Sequence, residues 1–172
     1  MNGRASGRNE TRVRLIALAA LDTGMRIQEL VTLRRADVDF DNLIFRVHGK
    51  GNKQRLVPMS IELRKLLFRY YSQNSFDRVF CTSRGTQPTQ RNLLRDFKLL
   101  CARLGITGVR CSFHTLRHTF ACEYLRRGGN LEYLRRILGH AKITTTERYL
   151  RSLGIEDLQA VHNDLSMLCA KR

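Results

Sequence analysis

Acidic residues are scarce in this chain: 15 Asp and Glu stand against 31 Lys and Arg, a formal charge of +16 at neutral pH. The basic residues are spread along the sequence in pairs such as Arg34-Arg35, Arg126-Arg127, Arg135-Arg136 and Lys171-Arg172, so no separate basic tail carries the excess. A folded domain with this balance repels itself unless an anion neutralises it, and nucleic acid is the commonest anionic partner. Long apolar runs are missing too: none approaches a membrane-spanning helix and no signal peptide opens the chain, which points away from a membrane and toward the cytosol. The five cysteines, Cys81, Cys101, Cys111, Cys122 and Cys169, fall in no CxxC pair or other metal-ligand spacing. They read as reduced, mostly buried small apolar residues. Prolines number only two, and there are neither repeats nor low-complexity tracts to divide the chain.

What is present fits one domain of 172 residues with a single substantial core. Residues 1–8, MNGRASGR, are polar and lack periodicity, so they are expected to be a disordered lead-in or a cloning remnant, with one domain over 9–172. From Thr11, Leu15, Ile16, Leu18, Ala19 and Leu21 follow helical spacing, and Gly24 suits the left-handed residue that ends a helix. RIQELVTL restarts a helix at once. DVDFDNLIFRVHGKGNKQRLVPM alternates β-branched and aromatic residues around Asp41-Asn42 and GKGNK, which predicts a three-stranded antiparallel meander. Further helices are expected from Ile61 to Tyr71, from Thr89 to Leu104, from about Thr115 to Gly128 and from Asn130, as cap, to Leu138. Thr144 and Glu147 have the spacing of a capping box for TTERYL. A last amphipathic helix over 154–169 carries Ile155, Leu158, Val161, Leu165 and Leu168. The fold class is α+β, mainly α, with one small sheet.

FHTLRHTFA concentrates chemistry within a helix that otherwise reads as apolar. His114 and Arg117 stand three apart near the helix N-terminus, where the dipole and free N–H groups already favour an anion, and together make a phosphate cradle. His114 and His118 have the i, i+4 spacing of paired zinc ligands, but the intervening Glu and a third ligand are missing, so no metal is expected. Arg26 follows the Gly24 turn, Lys50 sits at a hairpin tip, His140 lies just past a helix end, and Tyr149 comes nine residues after it. Taken singly, each has an ordinary explanation as surface pair, loop charge or core aromatic.

Taken in order, TGMRIQEL, GKGNKQRLVP, HTLRH, LGH and the tyrosine nine residues beyond it resemble the catalytic domain of the tyrosine recombinases, or phage-type integrases, from about Arg12 to Leu168. The resemblance implies a helical catalytic domain that breaks and rejoins double-stranded DNA without metal, nucleotide or other cofactor. It implies that Arg26, Lys50, His114, Arg117 and His140 surround a scissile phosphate attacked by Tyr149. Arginine forks bind non-bridging phosphate oxygens in defined geometry better than lysines do, a role for Arg26 and Arg117. A phenol is protonated at neutral pH, so Tyr149 needs a base, for which His114 stands, and the leaving 5′ oxygen needs an acid, for which the family points to Lys50. His140 would hydrogen-bond the phosphate, with Glu29 and His118 orienting the groups around it.

The same resemblance implies a tetrameric synapse of identical chains on DNA, in the prokaryotic cytosol near the nucleoid, with 154–169 docking on a neighbouring protomer. Family members usually carry an N-terminal core-binding domain, which does not precede the catalytic motifs here, and the opening helix of the catalytic domain reads as shortened before Asn9. Two other functions therefore stand beside the recombinase: a DNA-binding or regulatory remnant of an integrase, and a type IB topoisomerase. LGH close before the tyrosine and the terminal helix favour the recombinase.

Overall fold

The computed structural model describes residues 2–49, 54–73 and 75–165. The chain is mostly helical with one three-stranded sheet: α1 Asn2–Thr23, α2 Ile27–Thr32, β1 Val38–Asp39, β2 Ile44–His48, β3 Gln54–Pro58, α3 Ile61–Tyr71, α4 Gln90–Arg103, α5 Phe113–Arg126, α6 Leu131–Leu138, α7 Thr144–Glu147 and α8 Ile155–Leu165. The expected α+β class and the antiparallel meander are both found. The strands lie in the order β1-β2-β3, with Phe45 opposite Val57 and Val47 opposite Arg55. Alternation buries Phe45, Val47 and Val57 on one face and leaves Arg46, His48 and Leu56 outside.

α1 is the central helix. Val13, Ile16, Ala19 and Ala20 are fully buried, and the small alanines let α5, α4, α3 and α2 pack against it. Two expectations about this helix change. Residues 2–8, read as a loose lead-in, belong to α1, and the opening helix is 22 residues long instead of shortened. A polar turn without periodicity joins a helix without difficulty when the turns after it are anchored in a core. Leu18 and Leu21, which match the helical spacing, are exposed because the buried arc of α1 faces elsewhere.

Cap residues fix the helix starts. Ser60, Thr89, Ser112 and Asn130 each accept a backbone N–H from the first turn of α3, α4, α5 and α6 with their side chains. Thr144 does not cap: it is the first residue of α7, whose preceding residue Ile143 has no side-chain cap. The core has two parts. The larger gathers α1–α4 and the sheet around Ile16, Leu30, Phe45, Leu67, Phe80 and Leu93, and the smaller holds Ala121, Cys122, Leu125, Leu134, Leu138 and Tyr149. Of the cysteines, Cys81, Cys101 and Cys122 are buried and Cys111 is half-buried, while Cys169 and Leu168 lie outside the described residues. The described part of α8 contacts α5 and is tied to it by an Arg126–Asp157 ion pair of 3.2 Å, yet Ile155, Leu158 and Leu165 remain exposed.

Candidate active site

The site is built on the C-terminal end of α6. The last carbonyls of a helix have no intrahelical partner and carry its negative dipole end, so they attract cations. Gly139 terminates α6 in the left-handed region, at φ 65°, and the His140 N–H returns to the Arg135 carbonyl at 3.1 Å, a Schellman turn. The Ile137 and Leu138 carbonyls are thereby left facing outward, and three guanidinium groups converge on them. Arg117, from α5, donates Nη2–H to the Leu138 carbonyl at 2.7 Å and Nη1–H to the Gly24 carbonyl at 2.6 Å. Arg26, at the start of α2, donates to the same Leu138 carbonyl at 3.3 Å. Arg55, from β3, donates Nε–H to the Ile137 carbonyl at 2.8 Å.

Each anchor follows from local sequence. Gly24 takes φ 64°, and a Cβ there would stand 2.3 Å from the Phe120 ring, so only glycine lets α1 stop and α2 begin within reach of α5. Arg26 then precedes α2, where the Glu29 carboxylate accepts its backbone N–H at 2.8 Å and its Nη1–H at 3.2 Å. Both Glu29 oxygens also accept from Arg55, each at 2.8 Å, and burial of that carboxyl is outweighed by these hydrogen bonds and the Arg55 charge, which hold its pKa below the ordinary carboxylate range. Arg117 is 5 % exposed; burial first, then the Arg26 charge, push its pKa down to about 10, so it stays a cation at neutral pH.

His140 falls directly on this cluster. Its Nε2 lies 3.0 Å from Arg117 Nη2, and since a guanidinium can only donate, Nε2 accepts and the ring proton sits on Nδ1, which donates to Thr146 Oγ1 at 2.9 Å. Burial and the charges of Arg117, Arg26, Arg148 and Arg55 push the His140 pKa down to about 4. Tyr149 is 1 % exposed, with its ring parallel to His140 at 6.3 Å, edge-on to His118 at 5.3 Å, and under the Arg148 guanidinium at 5.4 Å. Its backbone carbonyl accepts from Ser152 Oγ at 2.6 Å, and Ser152 reaches Cys122 and through it His118.

Of the residues expected from sequence, the structure brings Arg26, Glu29, Arg117, His118, His140 and Tyr149 together. His114 is exposed on the first turn of α5, and no described residue hydrogen-bonds its side chain; His118 is the α5 histidine that touches Tyr149. Lys50 lies outside the described residues, in the connection between β2 and β3. Two residues were missed. Arg55 was hidden among the many basic side chains, although its place in KQRLVP next to the hairpin is a signal. Thr146 falls within the TTERYL helix that the sequence predicts, and nothing local marks it as the buried partner of His140. Among the described residues no group of three or more His, Cys, Asp or Glu side chains gathers as a metal site would require, nor is any helix long and apolar enough to cross a membrane.

The chain resembles solved and curated proteins of one kind. It is 34% identical over 148 residues to the tyrosine recombinase XerD of Yersinia pestis, covering 81% of this chain and 49% of that protein. To the tyrosine recombinase XerC of Chlamydia caviae it is 32% identical over 134 residues, covering 74% of this chain and 43% of that one. The crystal structure of XerA recombinase superposes with a TM-score of 0.76 at 30% identity, covering 95% of this chain and 62% of that chain. The chain thus spans about half the length of the curated relatives it matches. With the phage integrase family model matching residues 2–154 and the family's motif residues meeting at one helix end, the chain belongs to the phage integrase family.

Proposed function

We propose that the chain is the catalytic part of a tyrosine recombinase, a site-specific DNA strand transferase in which Tyr149 attacks a scissile phosphate of double-stranded DNA. The observation that carries this reading is the meeting of Arg26 and Arg117 on one carbonyl oxygen with His140 and Tyr149 beside them. Guanidinium groups already gathered on a partial negative charge are preorganised for the oxygens of a phosphate, where charge builds as the reaction proceeds. In the step itself the Tyr149 oxygen bonds to phosphorus and the bond to the 5′ oxygen breaks. The phenolic proton passes to His114, and Lys50 supplies one to the 5′ oxygen. The product is a 3′-phosphotyrosine ester that keeps the bond energy, so a 5′ hydroxyl of another strand reverses the step without metal or ATP. In the free site His140 has no proton to offer on Nε2, so it donates to phosphate after taking one up or after its ring proton moves from Nδ1 to Nε2 as the Thr146 hydroxyl turns to donate.

The net charge of +16 supports DNA as the partner. The Tn1549 transposon integrase in complex with transposon right end DNA shares the fold, with a TM-score of 0.73 at 22% identity. The working unit is a tetrameric synapse in the prokaryotic cytosol, with the exposed Leu158 and Leu165 of α8 seated on a neighbouring protomer.

The test is incubation with a nicked suicide duplex in EDTA, scored for a denaturant-resistant protein–DNA adduct. The expected result is an adduct that disappears in Tyr149→Phe. Binding without an adduct would overturn strand transfer and favour a DNA-binding remnant, whereas relaxation of supercoiled plasmid by a lone protomer would favour a type IB topoisomerase.

A further inference from the structure

We propose that Arg55 is a positioning residue for strand cleavage, locking the base of the β2–β3 hairpin, α2 and the end of α6 into one geometry; the proposal rests on the recombinase reading above. Three of its N–H groups are used in the plane of one guanidinium: Nε to the Ile137 carbonyl, Nη1 and Nη2 to the two Glu29 oxygens, all at 2.8 Å. Its side chain is 15% exposed and that of Glu29 9%. Arg55 is therefore engaged by protein partners and mostly enclosed, unlike Arg26, whose side chain is 46% exposed.

The position decides what the contact does. Arg55 is the second residue of β3, directly after the connection that carries Lys50, and it pairs across the sheet with Val47 on the strand that enters that connection. On its other side the Glu29 carboxylate also holds the backbone and side chain of Arg26, and the Ile137 carbonyl adjoins the Leu138 carbonyl that receives Arg117. One planar group thus reaches the hairpin base, the first arginine fork and the helix end on which the second fork rests. Gly139 completes the fit, because a Cβ there would stand 3.0 Å from Arg55 Nε. A buried ion pair is a weak source of net stability, since desolvation offsets most of the Coulomb gain, but its geometry is demanding, which suits a part that sets register. Lysine offers one point charge and cannot span a carboxylate and a carbonyl in a plane.

The experiment compares the full chain with Arg55→Lys, Glu29→Gln and the double variant, each checked for native circular dichroism. Single-turnover cleavage of the suicide duplex, DNA Kd and hydrogen exchange are measured together. Expected are cleavage slowed by about tenfold to a hundredfold, as misplacement by an ångström does, with Kd changed less than about threefold. The double variant should be no slower than the slower single one, because both break the same link. Hydrogen exchange should speed up at the ends of β2 and β3 and at residues 137–140, with the α1 core unchanged. Multiplying losses, a loss confined to Kd, full rescue by lysine, or unchanged exchange at the hairpin ends would each overturn the proposal. The exchange readout does not depend on cleavage, so a wild-type chain that forms no adduct sinks the recombinase reading while leaving the Arg55 link to be judged on its own.

Discussion

At neutral pH His140 is an uncharged imidazole, because burial and four nearby guanidinium groups oppose a further positive charge, bringing its pKa from 6.5 to about 4. The sign of its effect on stability follows. Between those values the unfolded chain takes up a proton that the folded chain resists, so stability is full above about pH 6.5 and is lost as the pH falls toward 4. Urea unfolding at pH 7 and pH 5 should show this residue costing about 2 kcal/mol at the lower pH, and His140→Gln should flatten the difference by that amount. The motif residues at this scale were legible because their chemistry is rare and their spacing ordered, as with Arg26 after Gly24 or Tyr149 after His140. Arg55 and Thr146 were not, since an arginine in a chain with 31 basic residues and a threonine in TTT carry no local mark. Their meaning comes from partners in contact only after folding, such as Glu29 on another element.

Among the elements, α5 does the most to aim the site, holding Arg117 in the core while presenting His114 to solvent one turn earlier. Its start is set by Ser112, whose hydroxyl accepts the Thr115 N–H at 3.1 Å and bonds the Thr115 hydroxyl at 2.9 Å. Ser112→Ala should lower stability by about 1 kcal/mol, measured by thermal unfolding, and should slow cleavage more than it weakens DNA binding, because the turn bearing His114 frays. Helices with a polar cap and a glycine stop, such as α4 and α6, were readable to within a residue of their ends. The start of α1 was not, because it has neither an apolar stripe nor a cap to announce it. Thr144 misled for a related reason: its spacing to Glu147 is that of a capping box, but a four-residue helix leaves both inside the turn.

For the molecule as a whole, charge governs partnership. With DNA as the proposed partner, an excess of 16 positive charges would make counterion release the main drive for binding. Affinity for any duplex should fall about tenfold or more between about 50 and 200 mM salt, and a titration by fluorescence anisotropy that stayed flat over this range would contradict DNA as the partner. The arginine cluster lies at the seam between the two parts of the core, with Arg26 and Arg55 on elements of the larger part and Arg117 and His140 on or beside those of the smaller. On the recombinase reading, a shift of one part against the other would move the Arg26 fork relative to the Arg117 fork and so alter the chemistry.

Tyr149 plays a double part in that smaller core. On the proposed reading it is the reactive group, and it is also one of the largest side chains filling the interior, packed as tightly as Leu134 or Leu138. A tool stored inside the wall it helps to hold up cannot be taken out without loosening the wall. Tyr149→Phe should therefore leave the melting temperature nearly unchanged while abolishing the adduct, whereas Tyr149→Ala should cost about 3–5 kcal/mol of stability. On the recombinase reading, each delivery of the phenol to DNA would borrow some of the cohesion of α5, α6 and the turn after Tyr149, and returning the tyrosine to its niche when the strand is resealed would give that cohesion back, a pull toward finishing the reaction.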